Sequence, residues 1–108
     1  MALGTSSKRY SKALISNSID EGNLDVLFEE VCSLTNILEG SDDLKDFIAN
    51  PTISRENKTK FLNELTNQSL PNISKLIHLL SVNNRINILL DVCRAFVEQY
   101  NQYNNIIE

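Results

Sequence analysis

The chain has 108 residues, 42% of them apolar, which is enough for one hydrophobic core without a disulfide or metal to hold it together. Ten Lys and Arg against fourteen Asp and Glu leave a net charge of −4, the wrong sign for a module whose affinity comes from phosphate contacts, so no nucleic-acid partner is expected. No uncharged run approaches the ~18 residues of a membrane span, and the first ten residues carry neither an apolar signal core nor an Arg-rich presequence, so direct membrane insertion is not expected either.

Three Gly and two Pro are too few breakers for an all-β chain, which needs a turn roughly every 8–12 residues. The punctuation instead divides the chain into an all-α, compact six-helix bundle. Residues 1–6 are expected to be a flexible arm, residues 7–103 the bundle, and residues 104–108 the start of a further C-terminal region, where Ile106–Ile107 is compatible with the opening of a strand.

The first helix reads from Ser7, a candidate N-cap, to Glu21, with Gly22 just past its end. Asn23 is placed to cap the second, whose Leu24, Leu27, Phe28, Val31, Leu34 and Leu38 recur at helical spacing until Gly40. A short third helix starts at Ser41, with Asp42 and Asp43 favoured by the dipole in its first turn, and Pro51 stops it. Ser54 caps a fourth carrying Phe61, Leu62 and Leu65. Pro71 opens the fifth, with Ile73, Leu76, Ile77 and Leu80 as its core stripe, and Asn83–Asn84 ends it, Asn being well suited to a left-handed cap. The sixth reads from Ile86 through Leu89, Leu90, Cys93, Phe96 and Val97 to Tyr100.

Two helices carry more apolar surface than one buried stripe requires. On the first, Tyr10, Ala13, Leu14 and Asn17 share one side, while Ile15 and Ile19 lie nearly opposite; on the fifth, Leu79 and Val82 fall off the core face. Such helices are either buried on two sides or offer the second side to a partner, and a groove accepting an apolar helix is a recurrent solution. The wheel alone leaves open which side of the first helix faces outward.

Chemistry-bearing motifs are sparse. His78 is the single histidine, flanked by Ile77 and Leu79, and without the nucleophile and carboxylate that a His-based site requires it reads as a groove-edge ring. Cys32 and Cys93 lie on apolar stripes and read as buried thiols rather than a disulfide. The pairs Asp20–Glu21, Glu29–Glu30 and Asp42–Asp43 lack the glycine and spacing of a calcium loop and read as solvated helix faces. Phe28, Phe47, Phe61 and Phe96 are all expected in the core. No catalytic residue, cofactor or metal is expected.

Three segments, KRYSKALI, LKDFIANPTISRENKTKFL and LIHLLSVNNRINILLDVCRAF, occur in an order and spacing that resemble the N-terminal domain of the delta subunit of F-type ATP synthases, whose mitochondrial counterpart is the oligomycin-sensitivity-conferring protein. The resemblance covers about Lys8 to Tyr100. It implies a non-catalytic stator adaptor of the peripheral stalk that helps hold the catalytic head static during rotation-driven ATP synthesis. It further implies that the amphipathic N-terminal helix of an alpha subunit occupies a groove between the first and fifth helices. The matching positions here are Tyr10, Ala13, Leu14 and Asn17, with Lys75, Leu76, His78, Leu79 and Val82. A b subunit of the stalk would be reached only through a C-terminal region beyond this chain. The implied location is peripheral, on the cytoplasmic face of a bacterial inner membrane or in an organelle matrix, with the isolated domain a monomer. The alternative from the residues alone is a stand-alone, death-domain-like helical adaptor with unrelated or homotypic partners.

Overall fold

Capping chemistry sets several of the helix boundaries in the computed structural model, which describes residues 4–104. The helices are α1 (Thr5–Glu21), α2 (Leu24–Glu39), α3 (Asp42–Ala49), α4 (Arg55–Leu65), α5 (Pro71–Val82) and α6 (Leu89–Asn104), with a 3-10 turn over Ile86–Ile88 leading into the last. The six-helix, all-α expectation holds, and the described residues contain no strand. The hydroxyls of Ser41 and Ser54 accept the Leu44 and Asn57 amides at 3.2 and 3.1 Å, supplying partners for N–H groups that a helix start leaves open. Gly22 adopts φ 73° and Asn84 φ 58°. At each, the following amide reaches back to a carbonyl five residues earlier, Asn23 to Ser18 at 3.0 Å and Arg85 to Leu80 at 2.7 Å, closing the two helix ends that flank the later groove.

Several boundaries differ from the sequence reading. Helix α1 begins at Thr5 with Gly4 in the cap position, so Thr5 and Ser6 are helical rather than part of an arm, and Ser7 is a buried interior residue rather than the cap. Residues 1–3 of that arm lie outside the described residues. Asn23 makes no capping bond to α2; its side chain turns instead to Glu21 and Asn72. Helix α6 continues through Asn104, and the remainder of the proposed C-terminal segment, including Ile106–Ile107, lies outside the described residues. The expected start of the sixth helix at Ile86 is a tighter 3-10 turn, with α-geometry only from Leu89.

The core gathers one stripe from each long helix. Leu27, Leu38, Leu62, Ile73, Ile77, Leu80, Leu89 and Phe96 are fully buried, each such side chain contributing about 1.5–3 kcal/mol by leaving water. Helix α6 is the spine, with α1 and α2 packed along it, while α5 lies against α1 and α4. The buried face of α1 is Ser7, Ser11, Leu14 and Ser18, at i, i+4, i+7 and i+11. Three serines are small enough to let two helix axes approach closely, and two of their hydroxyls have named partners: Ser11 donates across to Gln99 Oε1 of α6 at 2.6 Å and Ser18 back to the Ile15 carbonyl at 2.9 Å.

Not every expected core residue is inside. Phe96 is fully buried, Phe28 and Phe47 are half-buried, and Phe61 is 41% exposed, with its ring edge-on to Phe47 at 5.1 Å. Phe61 falls one position from Leu62, which takes the core side of α4, so its ring is left at the rim. Cys93 is buried but Cys32 is only half-buried. Glu30, expected on a solvated face, accepts the Leu70 amide at 2.7 Å and so holds the start of α5 against α2.

Candidate functional site

Helices α1 and α5 run antiparallel, clamped at two levels. At one end the Asn83 amide donates to Tyr10 Oη at 2.8 Å; at the other the Asn72 amide donates to Asn17 Oδ1 at 2.9 Å. Tyr10 and Asn17 are seven residues apart on α1, so the clamps are separated by about 10 Å, two helical turns. Between them lies a groove of about 190 Å³.

The groove brings together seven of the nine expected residues: Tyr10, Ala13, Leu14 and Asn17 from α1, and Lys75, Leu76 and Leu79 from α5. Leu14 and Leu76 are buried and form its floor, while Ala13 and Leu79 are exposed on its walls, Leu79 by 45%. The Tyr10 side of α1 therefore faces the groove. Ala13 matters by what it lacks: a methyl side chain leaves room for a second backbone to come close. His78 and Val82 do not line the groove; both are exposed, Val82 by 59%, on neighbouring parts of α5. No hydrogen bond or ion pair engages His78 among the described residues.

The eighth lining residue, Asn72, escaped the sequence reading. It is 2% exposed and is the hub of a polar network: it donates to Asn17 Oδ1 and to Glu21 Oε1, and accepts from Asn23 Nδ2 at 3.3 Å. A polar residue four positions before Leu76, on the same helix face, was the available signal. A buried amide with partners on two other segments fixes α5 against α1 at one register, because any slip would strand its polar atoms.

Beyond Tyr10 the groove opens into a polar recess formed by Ser6, Arg9, Tyr10, Asn83 and Arg85. Arg85 donates to Ser6 Oγ at 2.9 Å. Among the described residues, neither Arg9 nor Arg85 has a carboxylate within ion-pair distance, and the ion pairs present involve Lys45 and Arg94. The opposite apolar side of α1 is also open: Ile15 and Ile19 line a second concave surface with Gln99 and Tyr103 of α6. Thus α1 is wet along both flanks and buried only along its serine stripe.

No group of three or more potential metal ligands occurs among the described residues, and no described helix is long and apolar enough to cross a membrane.

A family model described as ATP synthase delta (OSCP) subunit matches residues 7–108. An ATP synthase subunit delta of Leuconostoc mesenteroides is 28% identical over 100 residues, covering 93% of this chain and 56% of the relative. Proteins of the same name from Bacillus thuringiensis and Bacillus anthracis are each 30% identical over 108 residues, covering all of this chain and 60% of the relative. The chain thus spans a little over half the length of these relatives.

Proposed function

The chain belongs to the ATP synthase delta (OSCP) subunit family, and from that premise we propose that it is the helical, non-catalytic adaptor portion of a peripheral-stalk subunit. In this reading its task is to grip the amphipathic N-terminal helix of an alpha subunit and so tie the catalytic head to the static part of a membrane-bound complex. The observation that carries the reading is the α1–α5 groove, with an apolar floor of Leu14 and Leu76, a small residue at Ala13 and an unpartnered Leu79 on its wall.

A stator element has to bind firmly and do nothing else. Burying three or four apolar anchors at about 1.5–3 kcal/mol each, less the cost of ordering a peptide, supports micromolar or tighter binding. The groove suits a helix because two helices wall it over about two turns, matching anchors at i, i+3, i+4 and i+7. Lys75, exposed beside the groove, acts as a rim charge that tunes encounter and register more than affinity.

The test is an NMR titration of the isotope-labelled chain with a synthetic peptide from the N-terminus of the cognate alpha subunit. Saturable one-to-one binding is expected, with shifts concentrated at Tyr10, Ala13, Leu76 and Leu79. Ala13→Arg, at an exposed position that leaves the core intact, is expected to weaken binding by about tenfold or more by filling the groove. Absence of saturation, or shifts confined to other faces, overturns the reading.

A further inference from the structure

The two ends of the groove are not equivalent, and we infer that they set the direction in which a helix lies in it: N-terminus towards Glu21 and Asn17, C-terminus towards Arg9 and Arg85. This rests on the helix-docking reading above and adds the polarity of the occupant.

The end beyond Tyr10 is rich in donors and positive charge. Arg9 and Arg85 share one recess with Ser6, Tyr10 and Asn83. A single guanidinium N–H of Arg85 is used on Ser6, at 2.9 Å. The Tyr10 oxygen already accepts from Asn83 at 2.8 Å, which leaves its own proton to be donated outward. Nothing in the described residues supplies the carboxylate that two neighbouring guanidiniums call for. The far end has the opposite character. Glu21 presents a carboxylate that already accepts from Asn72 at 3.3 Å and Asn23 at 3.4 Å and retains lone pairs, with Asp20 exposed beside it. Lys75, one turn in from Asn72 on α5, is a single opposing charge against these two carboxylates.

The dipoles of the groove's own walls do not decide the direction, because α1 and α5 are antiparallel and cancel. The side-chain charges do. A docked helix carries about half a positive charge and free N–H groups at its start, and about half a negative charge and free carbonyls at its end. Seated parallel to α5, its first turn meets Glu21 and its last turn meets the two arginines. Seated the other way, four open carbonyls face Glu21 and the arginines face N–H groups. The recess also selects sequence: an acidic side chain in the occupant's last turn would form a charge-assisted bond with either guanidinium.

The experiment uses two forms of the alpha-subunit peptide, spin-labelled at its N-terminal or its C-terminal end, with the isotope-labelled chain. The C-terminal label is expected to broaden the amides of Tyr10, Asn83 and Arg85 most, and the N-terminal label those of Asn17, Glu21 and Asn72. The reversed pattern, or equal broadening at both ends from each label, overturns the polarity while leaving the docking reading in place. No saturable binding of either form overturns both. The double substitution Arg9→Glu with Arg85→Glu, both exposed, is expected to raise Kd by about fivefold or more at low salt. An unchanged Kd overturns the role given to the recess.

Discussion

Asn72 of α5 donates to Asn17 of α1 across 2.9 Å, from a side chain that is 2% exposed, so one buried amide closes the groove at its lower end. The same side chain also donates to Glu21 and accepts from Asn23. Asn72→Ala strands those groups without removing them and is expected to cost about 1–3 kcal/mol. Urea unfolding checks this: the midpoint falls while the slope stays constant. An unchanged midpoint would show that water replaces the amide without loss.

The Tyr100 clasp gives a pH-dependent prediction. Its hydroxyl donates to Asp25 Oδ1 at 2.7 Å, while its ring stacks on Phe28 with centroids 3.8 Å apart. The Asp25 hydrogen bond, helped by desolvation and by the Asp25 charge, raises the phenol above its ordinary value of 10.0. A raised value in the folded state means that the clasp stabilises fully below pH 10 and loses its contribution as pH climbs through the raised value. Tyr100→Phe keeps the stack and is expected to cost only about 0.5 kcal/mol at pH 8, since the pair is partly solvated. The gap between wild type and variant should close above pH 10; a gap that widens there refutes the clasp.

The two thiols are distinguished by burial. Cys93 is pushed up to about 12 by desolvation, against a smaller opposing hydrogen bond from Thr35, whereas half-buried Cys32 is raised by its own desolvation and by Glu29. At pH 8 both are thiols, and reagents attack thiolates. A thiol-reactive probe is therefore expected to label Cys32 slowly in the native chain and Cys93 only as fast as the protein unfolds, with both labelled in denaturant. Rapid native labelling of Cys93 would mean that the α6 face opens locally.

Helix content was open to reading from the sequence because helix signals are local. Ser41, Ser54, Gly22, Pro71 and Asn84 each act within one turn of the backbone, so the residue type carries its own evidence of a start or a stop. Most of the groove was legible too, though only in part through periodicity: Leu79 stood off the core stripe of α5, and the wheel put Tyr10, Ala13, Leu14 and Asn17 on one side of α1, while only the family resemblance said that this side faces the groove. Asn72, Arg9 and Arg85 were not legible. A polar residue on a core-facing position looks like a boundary until its partners, 49 to 55 residues away, are in place.

What the sequence by itself determined is the number, order and approximate ends of six helices, because each is specified by spacing and caps within a few residues. What only the tertiary structure decided is which faces of α1 stay open. Hydropathy ranks Ile19 above Ser7, Ser11 and Ser18, yet Ile19 is 45% exposed and the serines are buried. The reason is geometric: α6 has to lie close along α1, and small side chains permit that approach where isoleucine would hold the two backbones apart, with the Ser11 hydroxyl bonding across to Gln99 of α6. With the serine stripe spent on α6, the Tyr10–Asn17 flank is left to meet α5, and the groove follows.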